Sequence, residues 1–112
     1  MDEPHLGPIV ARREFELESG GTVTAFLGQP YPVDDGGTYF CPYQIDGIGS
    51  RVIRRAGGVD AVQALLLALQ MMATDLYCSD AGRQGKLRWL GKRNLGFPVP
   101  KSIADLEPPE NE

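Results

Sequence analysis

Hydrophobic and polar residues alternate in the first part of the chain. Across residues 9–18, Phe15 and Leu17 fall on one side and the glutamates on the other. Residues 22–27 alternate in the same way, and the glycine-rich residues 19–21 lie between the two segments. Alternation with a period of two is typical of a strand with one buried face, and glycine suits a tight turn. The pattern predicts a β-hairpin.

Two further strands are predicted after a loop. Residues 28–37 are rich in proline, aspartate and glycine, which are loop residues. Alternation resumes over 38–45, where Pro42 has no amide hydrogen to give to a strand ladder, so this strand is expected at a sheet edge or bulged at Pro42. Turn residues follow, and 51–56 is a short fourth strand.

A helix is predicted over residues 61–77. Asp60 can cap the free amides of its first turn, and Gln63 three residues later completes a capping box. An apolar stripe at helical spacing is expected to be buried, namely Val62, Leu65, Leu66, Leu69, Met72, Ala73 and Leu76. A helix this apolar must bury more of its surface than one small sheet can cover. Either the C-terminal segment or a second copy of the chain could cover the remainder.

The remaining residues complete an α+β domain. Residues 86–90 are short enough for a fifth strand or an extended cover, and 96–100 are polyproline-like. The fold predicted is an antiparallel sheet of four to five strands packed on one long helix, in the order β-β-β-β-α-β. We expect a single domain over 9–100, with a flexible N-terminus at 1–8 and an acidic flexible tail at 101–112.

Composition places the chain among ordinary globular domains. It has 112 residues, of which 42% are hydrophobic and 23% charged. The first residues lack the basic and apolar regions of a secretory signal, and no apolar run approaches the ~20 residues of a membrane span. A cytoplasmic protein without a membrane partner is expected, whose two cysteines are reduced thiols.

The sequence offers little chemistry for catalysis. Its one histidine, His5, lies near the chain end, so the commonest general base near neutral pH is missing from the expected domain. No catalytic residue, cofactor site or metal site is predicted, and a non-enzymatic function is favoured. An enzyme would draw on Cys41, Tyr43, Asp46 and Arg55, since a strand end and the adjoining turn could line a cleft.

Positive charge is concentrated in one segment of an acidic chain. The formal net charge is −4, yet residues 51–93 carry eight basic side chains against three aspartates. We assign a possible interaction surface to Arg51, Arg54, Arg55, Arg83, Lys86, Arg88, Trp89, Lys92 and Arg93. These residues could converge if the fourth and fifth strands are neighbours, and then bind RNA, single-stranded DNA or an acidic protein. In the alternative interpretation, these residues bind nothing and are solvated charges whose alkyl stems cover the sheet.

Three stretches of the chain resemble a known family. Residues 39–47 (YFCPYQIDG), 55–65 (RAGGVDAVQAL) and 95–100 (LGFPVP) are similar to an uncharacterised bacterial family catalogued as a domain of unknown function. The resemblance covers most of residues 9–100 and implies one intact domain, but it carries over no activity, catalytic residue or ligand. By analogy of size and fold alone, immunity proteins that neutralise bacterial toxins are also small acidic α+β proteins.

These observations favour a protein-interaction module, either a homodimer or a toxin-neutralising type. The excess of apolar surface on the predicted helix is the main reason, since homodimerisation is the simplest way to bury it. The alternative is binding of RNA or single-stranded DNA through the basic segment 51–93.

Overall fold

The chain forms an antiparallel sheet with one long helix on one face. The structure is a computed structural model that describes residues 5–34 and 36–112. Its strands are β1 (Ile9–Leu17), β2 (Thr22–Gly28), β3 (Tyr31–Pro32), β4 (Tyr39–Asp46), β5 (Arg54–Gly58) and β6 (Leu87–Arg88). Its helices are α1 (Ala61–Tyr77), α2 (Asp80–Arg83) and a 3₁₀ helix, Lys101–Leu106. The predicted α+β class is confirmed. Part of the predicted flexible N-terminus, residues 1–4, lies outside the described residues.

The strands run across the sheet in the order β6, β1, β2, β4, β5. β4 pairs with β2 through residues 43–46 and with β3 through Tyr39 and Phe40, while β5 pairs along the other side of β4. The expectation that Pro42 marks an edge strand was wrong, because β4 is paired on both sides. Pro42 is tolerated because it lies opposite the interruption between β2 and β3, where no amide hydrogen is needed.

Helix α1 begins and ends where its sequence predicts. The Asp60 side chain accepts a hydrogen bond from the Gln63 amide at 2.8 Å, and the Gln63 side chain accepts one from the Val59 amide at 2.8 Å. One free amide of the first helical turn and the amide of the residue before Asp60 are thereby satisfied. The capping residues named from the sequence are confirmed.

The buried side of α1 differs from the predicted stripe. The helix packs over β4 and β5, and the side chains buried there are Ala64, Ala68, Met72 and Leu76. A Cβ added to Gly58 would lie 2.5 Å from the Ala64 amide nitrogen, so small residues let the helix approach the sheet closely. Val62 and Leu66, expected in the core, are left 67% and 48% exposed.

The C-terminal segment covers the rest of the inner sheet face. Leu95 is buried, and the Phe97 ring packs on Phe15 with 6.0 Å between centroids. Arg13 of β1 lies between this segment and Trp89, with its guanidinium carbon 3.7 Å from the Trp89 ring centre and its Nη1 donating to the Leu95 carbonyl at 3.0 Å. Burial lowers the pKa of Arg13. The sequence analysis proposed either the C-terminal segment or a second copy of the chain as the additional cover. The C-terminal segment is the one that packs here.

The end of the chain returns to the same segment. The Asn94 amide nitrogen donates to the Glu112 carbonyl at 2.8 Å, and its side chain donates to the Pro108 carbonyl at 2.7 Å. Arg93 and Glu112 form an ion pair at 2.6 Å. The flexibility expected for residues 101–112 stays a prediction. Hydrogen exchange tests it, because a segment held by these contacts would exchange more slowly than a flexible one. Within the described part of the chain, none of the helices has the length and apolar character to cross a membrane.

Candidate functional site

The structure separates the predicted basic surface into two groups. Arg51, Arg54 and Arg55 lie in or just before β5, whereas the other residues lie around α2 and β6. β5 and β6 form opposite edges of the sheet. Four strand spacings of about 4.8 Å place the edges about 19 Å apart. The condition for convergence, that these two strands are neighbours, is therefore not met, and a role in binding stays a prediction for each group.

The arginines of the β5 group each have a partner. Arg51 pairs with Asp46 at 3.1 Å, and Arg54 pairs with Asp75 at 2.8 Å. Arg55 has no carboxylate partner among the described residues. Its guanidinium carbon lies 4.0 Å from the Phe40 ring centre, and its Nη1 donates to the Tyr31 hydroxyl at 3.0 Å. Arg55 is therefore held flat on the outer face of the sheet, with donors left over.

The second group is partly engaged within the chain. Arg83 Nε donates to the Cys78 carbonyl at 3.2 Å, Arg93 pairs with Glu112, and the Trp89 ring is occupied by Arg13. Arg88 is half-buried, and Lys86 and Lys92 are exposed. Because Trp89 already stacks on a guanidinium, it is not a free platform for a nucleic-acid base.

The four residues named for an enzyme do not come together. Cys41 and Tyr43 point to the inner face of the sheet, whereas Asp46 and Arg55 point to the outer face. Cys41 is fully buried, its Sγ donates to the Gly28 carbonyl at 3.4 Å, and burial raises the pKa of this thiol to about 11. A buried thiol of raised pKa is a poor nucleophile.

Tyr43 instead joins two residues that the sequence analysis did not connect with it. Its hydroxyl donates to Asp75 Oδ2 at 2.6 Å, and Arg54 Nη1 donates to Asp75 Oδ1 at 2.8 Å. Burial, followed by the hydrogen bond to Asp75, raises the pKa of Tyr43. Tyr43 therefore stays a protonated donor, and the cluster ties the C-terminal half of α1 to β4 and β5. Sequence spacing gives no signal for it, because the three residues lie on three elements.

A groove opens beside this cluster at the end of α1. A cavity of about 180 Å³ next to Tyr43, Asp75 and Arg54 adjoins a second of about 600 Å³ that reaches Cys78 and Lys86. The two cavities share a wall formed by Ile48, Gly49 and Ser79. Among the described residues, no group of three His, Cys, Asp or Glu side chains is placed to hold a metal ion. The groove offers hydrogen-bonding and apolar contacts.

A second candidate is an exposed apolar surface at the start of α1 and just before it. We call Val59, Val62 and Leu66 the open stripe; Val59 is 74% exposed. Along the same side of the helix, Ala73 and Tyr77 are buried, and the Tyr77 hydroxyl accepts a hydrogen bond from the Leu95 amide at 2.7 Å. The chain thus covers the second half of this side and leaves the first half open.

Comparison with known proteins gives a family. A model of a domain of unknown function, DUF6968, matches residues 11–99. The chain belongs to this family. The DUF6968 match runs from β1 to the extended segment after Leu95, so the open stripe, the groove and the Tyr43 cluster all lie within it. Searches among curated proteins and among solved structures give no match.

Proposed function

We propose that this DUF6968 domain is a protein-interaction module that docks a partner protein on the open stripe. The observation that carries the proposal is the exposure of Val62 and Leu66 on a helix side whose continuation is buried. Single exposed apolar residues are ordinary, but a contiguous set on one element marks an interaction surface.

The neighbouring cover indicates what kind of segment docks there. Leu95 and Phe97 belong to a stretch without helix or strand, and they cover the inner face beside the second half of α1. A partner segment that continues this cover over Val62 and Leu66 would meet the same apolar chemistry. We therefore propose an extended apolar segment of another protein as the occupant.

The charge of α1 supports an uncharged contact. Residues 61–74 contain no charged side chain, although the whole chain has a net charge of −4. Burying the exposed parts of Val62 and Leu66 contributes about 2–3 kcal/mol, and extended flanking contacts would add to this. Such a surface selects a partner by apolar shape and tolerates salt, unlike a surface that binds nucleic acid.

We also propose that the protein acts in the cytoplasm, which its free Cys41 and Cys78 thiols support. A toxin-neutralising domain is one form of it, in which the docked partner is an enzyme that the domain inhibits. The alternative, RNA or single-stranded DNA binding through 51–93, has less support, because the basic side chains lie at two edges and several pair with carboxylates.

The test is quantitative affinity capture from the native host with the full chain and two variants. Val62→Glu/Leu66→Glu places charges on the open stripe at positions where glutamate keeps helix propensity. Leu90→Asp is the matched control, because Leu90 is 73% exposed and lies outside α1. A partner held by the wild type and by Leu90→Asp, insensitive to salt and lost with the double variant, is expected. Equal capture by all three proteins would contradict the proposal, provided circular dichroism shows that each is folded.

A further inference from the structure

The free edge of β5 carries a self-complementary pattern. Among the described residues, β4 is the only strand that pairs with β5. The Val33 amide donates to the Thr38 carbonyl at 2.9 Å, so Thr38 and, by alternation, Phe40 point their backbone groups towards β3. Tyr39, Cys41 and Tyr43 then point theirs towards β5, to Gly58, Ala56 and Arg54.

The same alternation directs other backbone groups of β5 away from the sheet. Arg55 and Gly57 lie between the residues bonded to β4, so their N–H and C=O groups face outwards, and both residues are exposed. Two residues with outward groups offer four hydrogen bonds to an incoming strand. Open edges of this kind are templates for pairing.

We propose that two copies of the chain form a dimer by antiparallel pairing of their β5 strands about a two-fold axis at Ala56. In this register Arg55 lies opposite Gly57 of the second copy, and each of these two residues exchanges both hydrogen bonds with its partner. A charged edge normally resists pairing with itself. Here no arginine faces an arginine, because each faces a residue without a side chain.

The outer face of the edge fits this register. A Cβ on Gly57 would lie 3.3 Å from Phe40 Cε1, so the Phe40 ring lies against the bare backbone of Gly57. Arg55 already stacks on Phe40 of its own chain. In the dimer, Arg55 of one copy also comes beside the Phe40 ring of the other, which is a second favourable cation–π arrangement.

The inner face fits as well, because it brings the two α1 helices together. Each α1 lies over β4 and β5. Pairing two β5 strands about 4.8 Å apart places the helix axes roughly 10 Å apart, which is the usual spacing of packed helices. The two helices can therefore pack directly against each other, with no other element between them.

The side of α1 that faces this edge is the one turned away from the C-terminal segment, which packs beside Tyr77. Leu67, Met71 and Asp75 follow one another at four-residue spacing, and Asp75 is bonded to Arg54 of β5. Gly58 lies beside Ala64 and Arg54 beside Asp75, so Ala56 lies level with the middle of α1. The two-fold axis therefore sets Leu67 of one copy against Met71 of the other. Leu67 is 38% exposed, and Met71 is half-buried.

This dimer goes beyond the proposed function, since it uses a different side of α1 from the open stripe. The first test is sedimentation equilibrium of the full chain from about 10 μM to about 1 mM, a range that covers weak dimers. A monomer–dimer equilibrium is expected, and a monomer at every concentration would overturn the proposal.

Charged pairs of variants test the helix contact. Leu67→Glu/Met71→Glu and Leu67→Lys/Met71→Lys should each raise the dimer dissociation constant about 100-fold, because like charges face each other across the axis. An equimolar mixture of the two should restore a dimer, which misfolded proteins would not do. The control Val62→Glu/Leu66→Glu should dimerise like the wild type. If the mixture stays monomeric while the wild type dimerises, the proposed contact is wrong.

Amide exchange tests the strand contact without any substitution. In the dimer the Arg55 and Gly57 amides become hydrogen-bonded, so their exchange should slow as the protein concentration rises. The Ala56 amide, already facing β4, should show little concentration dependence by comparison. A dimer in which Arg55 and Gly57 exchange as fast as in the monomer would use another surface. Dimerisation and capture of a partner on the open stripe can thus fail separately.

Discussion

The two halves of α1 have similar composition but different surroundings. In the second half, Met72, Ala73, Leu76 and Tyr77 are buried. In the first half, Val62, Leu66 and Leu67 are exposed although they are just as apolar. The difference arises because the C-terminal segment packs against the second half and the small residues Ala64 and Ala68 make the sheet contact of the first.

Within α1, the side chains that stabilise the fold are therefore different from the side chains that are available for binding. Removing a buried side chain leaves a cavity, whereas removing an exposed one leaves water in its place. The second half of α1 is therefore expected to determine how firmly the domain folds. The exposed side chains of the first half, Val62 and Leu66, can change with little effect on folding and are free to contact other molecules.

The largest expected effect is the loss of Leu76. Leu76→Ala should lower the free energy of unfolding by about 2–5 kcal/mol, because Leu76 is fully buried. Leu66→Ala makes the same chemical change in the first half and should cost less than about 1 kcal/mol. Urea denaturation of both variants measures the difference. Equal losses would show that the two halves contribute alike.

The next effect concerns the cover over the second half. Arg13→Ala removes the stacking on Trp89 and the hydrogen bond to the Leu95 carbonyl, and should cost about 2 kcal/mol. It should also speed exchange of the Leu95 amide, which is bonded to Tyr77. The neighbouring Arg12→Ala breaks an exposed ion pair with Glu14 and should cost less than about 1 kcal/mol. Similar losses from the two arginines would contradict this role.

Alkaline pH should loosen the attachment of α1 to the sheet. Burial and Asp75 raise the pKa of Tyr43 above its ordinary value of 10.0, so folding favours the protonated hydroxyl. Its contribution is complete below pH 10 and is lost as the pH rises towards the folded pKa, by at most about 1.4 kcal/mol per pH unit. Tyr43→Phe should remove this part of the slope in denaturation curves. Cys41 and Tyr77, whose pKa values burial also raises, should account for the slope that remains.

The smallest effect is at the start of the first half. Asp60→Ala removes the side-chain acceptor of the Gln63 amide and should cost about 1 kcal/mol. Amide exchange should increase in the first turn of α1 and stay unchanged near Tyr77. Asp105→Ala, an exposed aspartate of the 3₁₀ helix, is the control and should cost less than about 0.5 kcal/mol. Faster exchange along the whole helix would show that its two halves are not independent.

The sequence specified most elements because their signals are local. The hairpin of β1 and β2 follows from alternation around a glycine turn, and α1 follows from Asp60, Gln63 and helical spacing. The fourth strand was predicted over 51–56 but runs over 54–58, because Gly57 and Gly58 belong to β5. Glycine usually interrupts a strand, but here Phe40 lies over Gly57 and α1 lies against Gly58.

The candidate sites were much less accessible from the sequence. The basic residues can be identified from the sequence, but whether they lie together in space depends on the order of the strands. That order places β5 and β6 at opposite edges of the sheet. Asp75 received no role, since its partners Tyr43 and Arg54 are 32 and 21 residues away along the chain. Helical periodicity also places Val62 and Leu66 on an apolar side without indicating whether anything covers it.

The amino-acid sequence by itself determined where the β1–β2 hairpin, β4 and α1 form, since hydrogen-bonding and side-chain periods act between near neighbours. Only the tertiary structure decided which apolar side of α1 stays open and which edge of the sheet is left unpaired. Those outcomes depend on how closely Ala64 and Gly58 approach and on where the C-terminal segment returns. Such contacts join residues far apart in the chain, and periodicity carries no information about them.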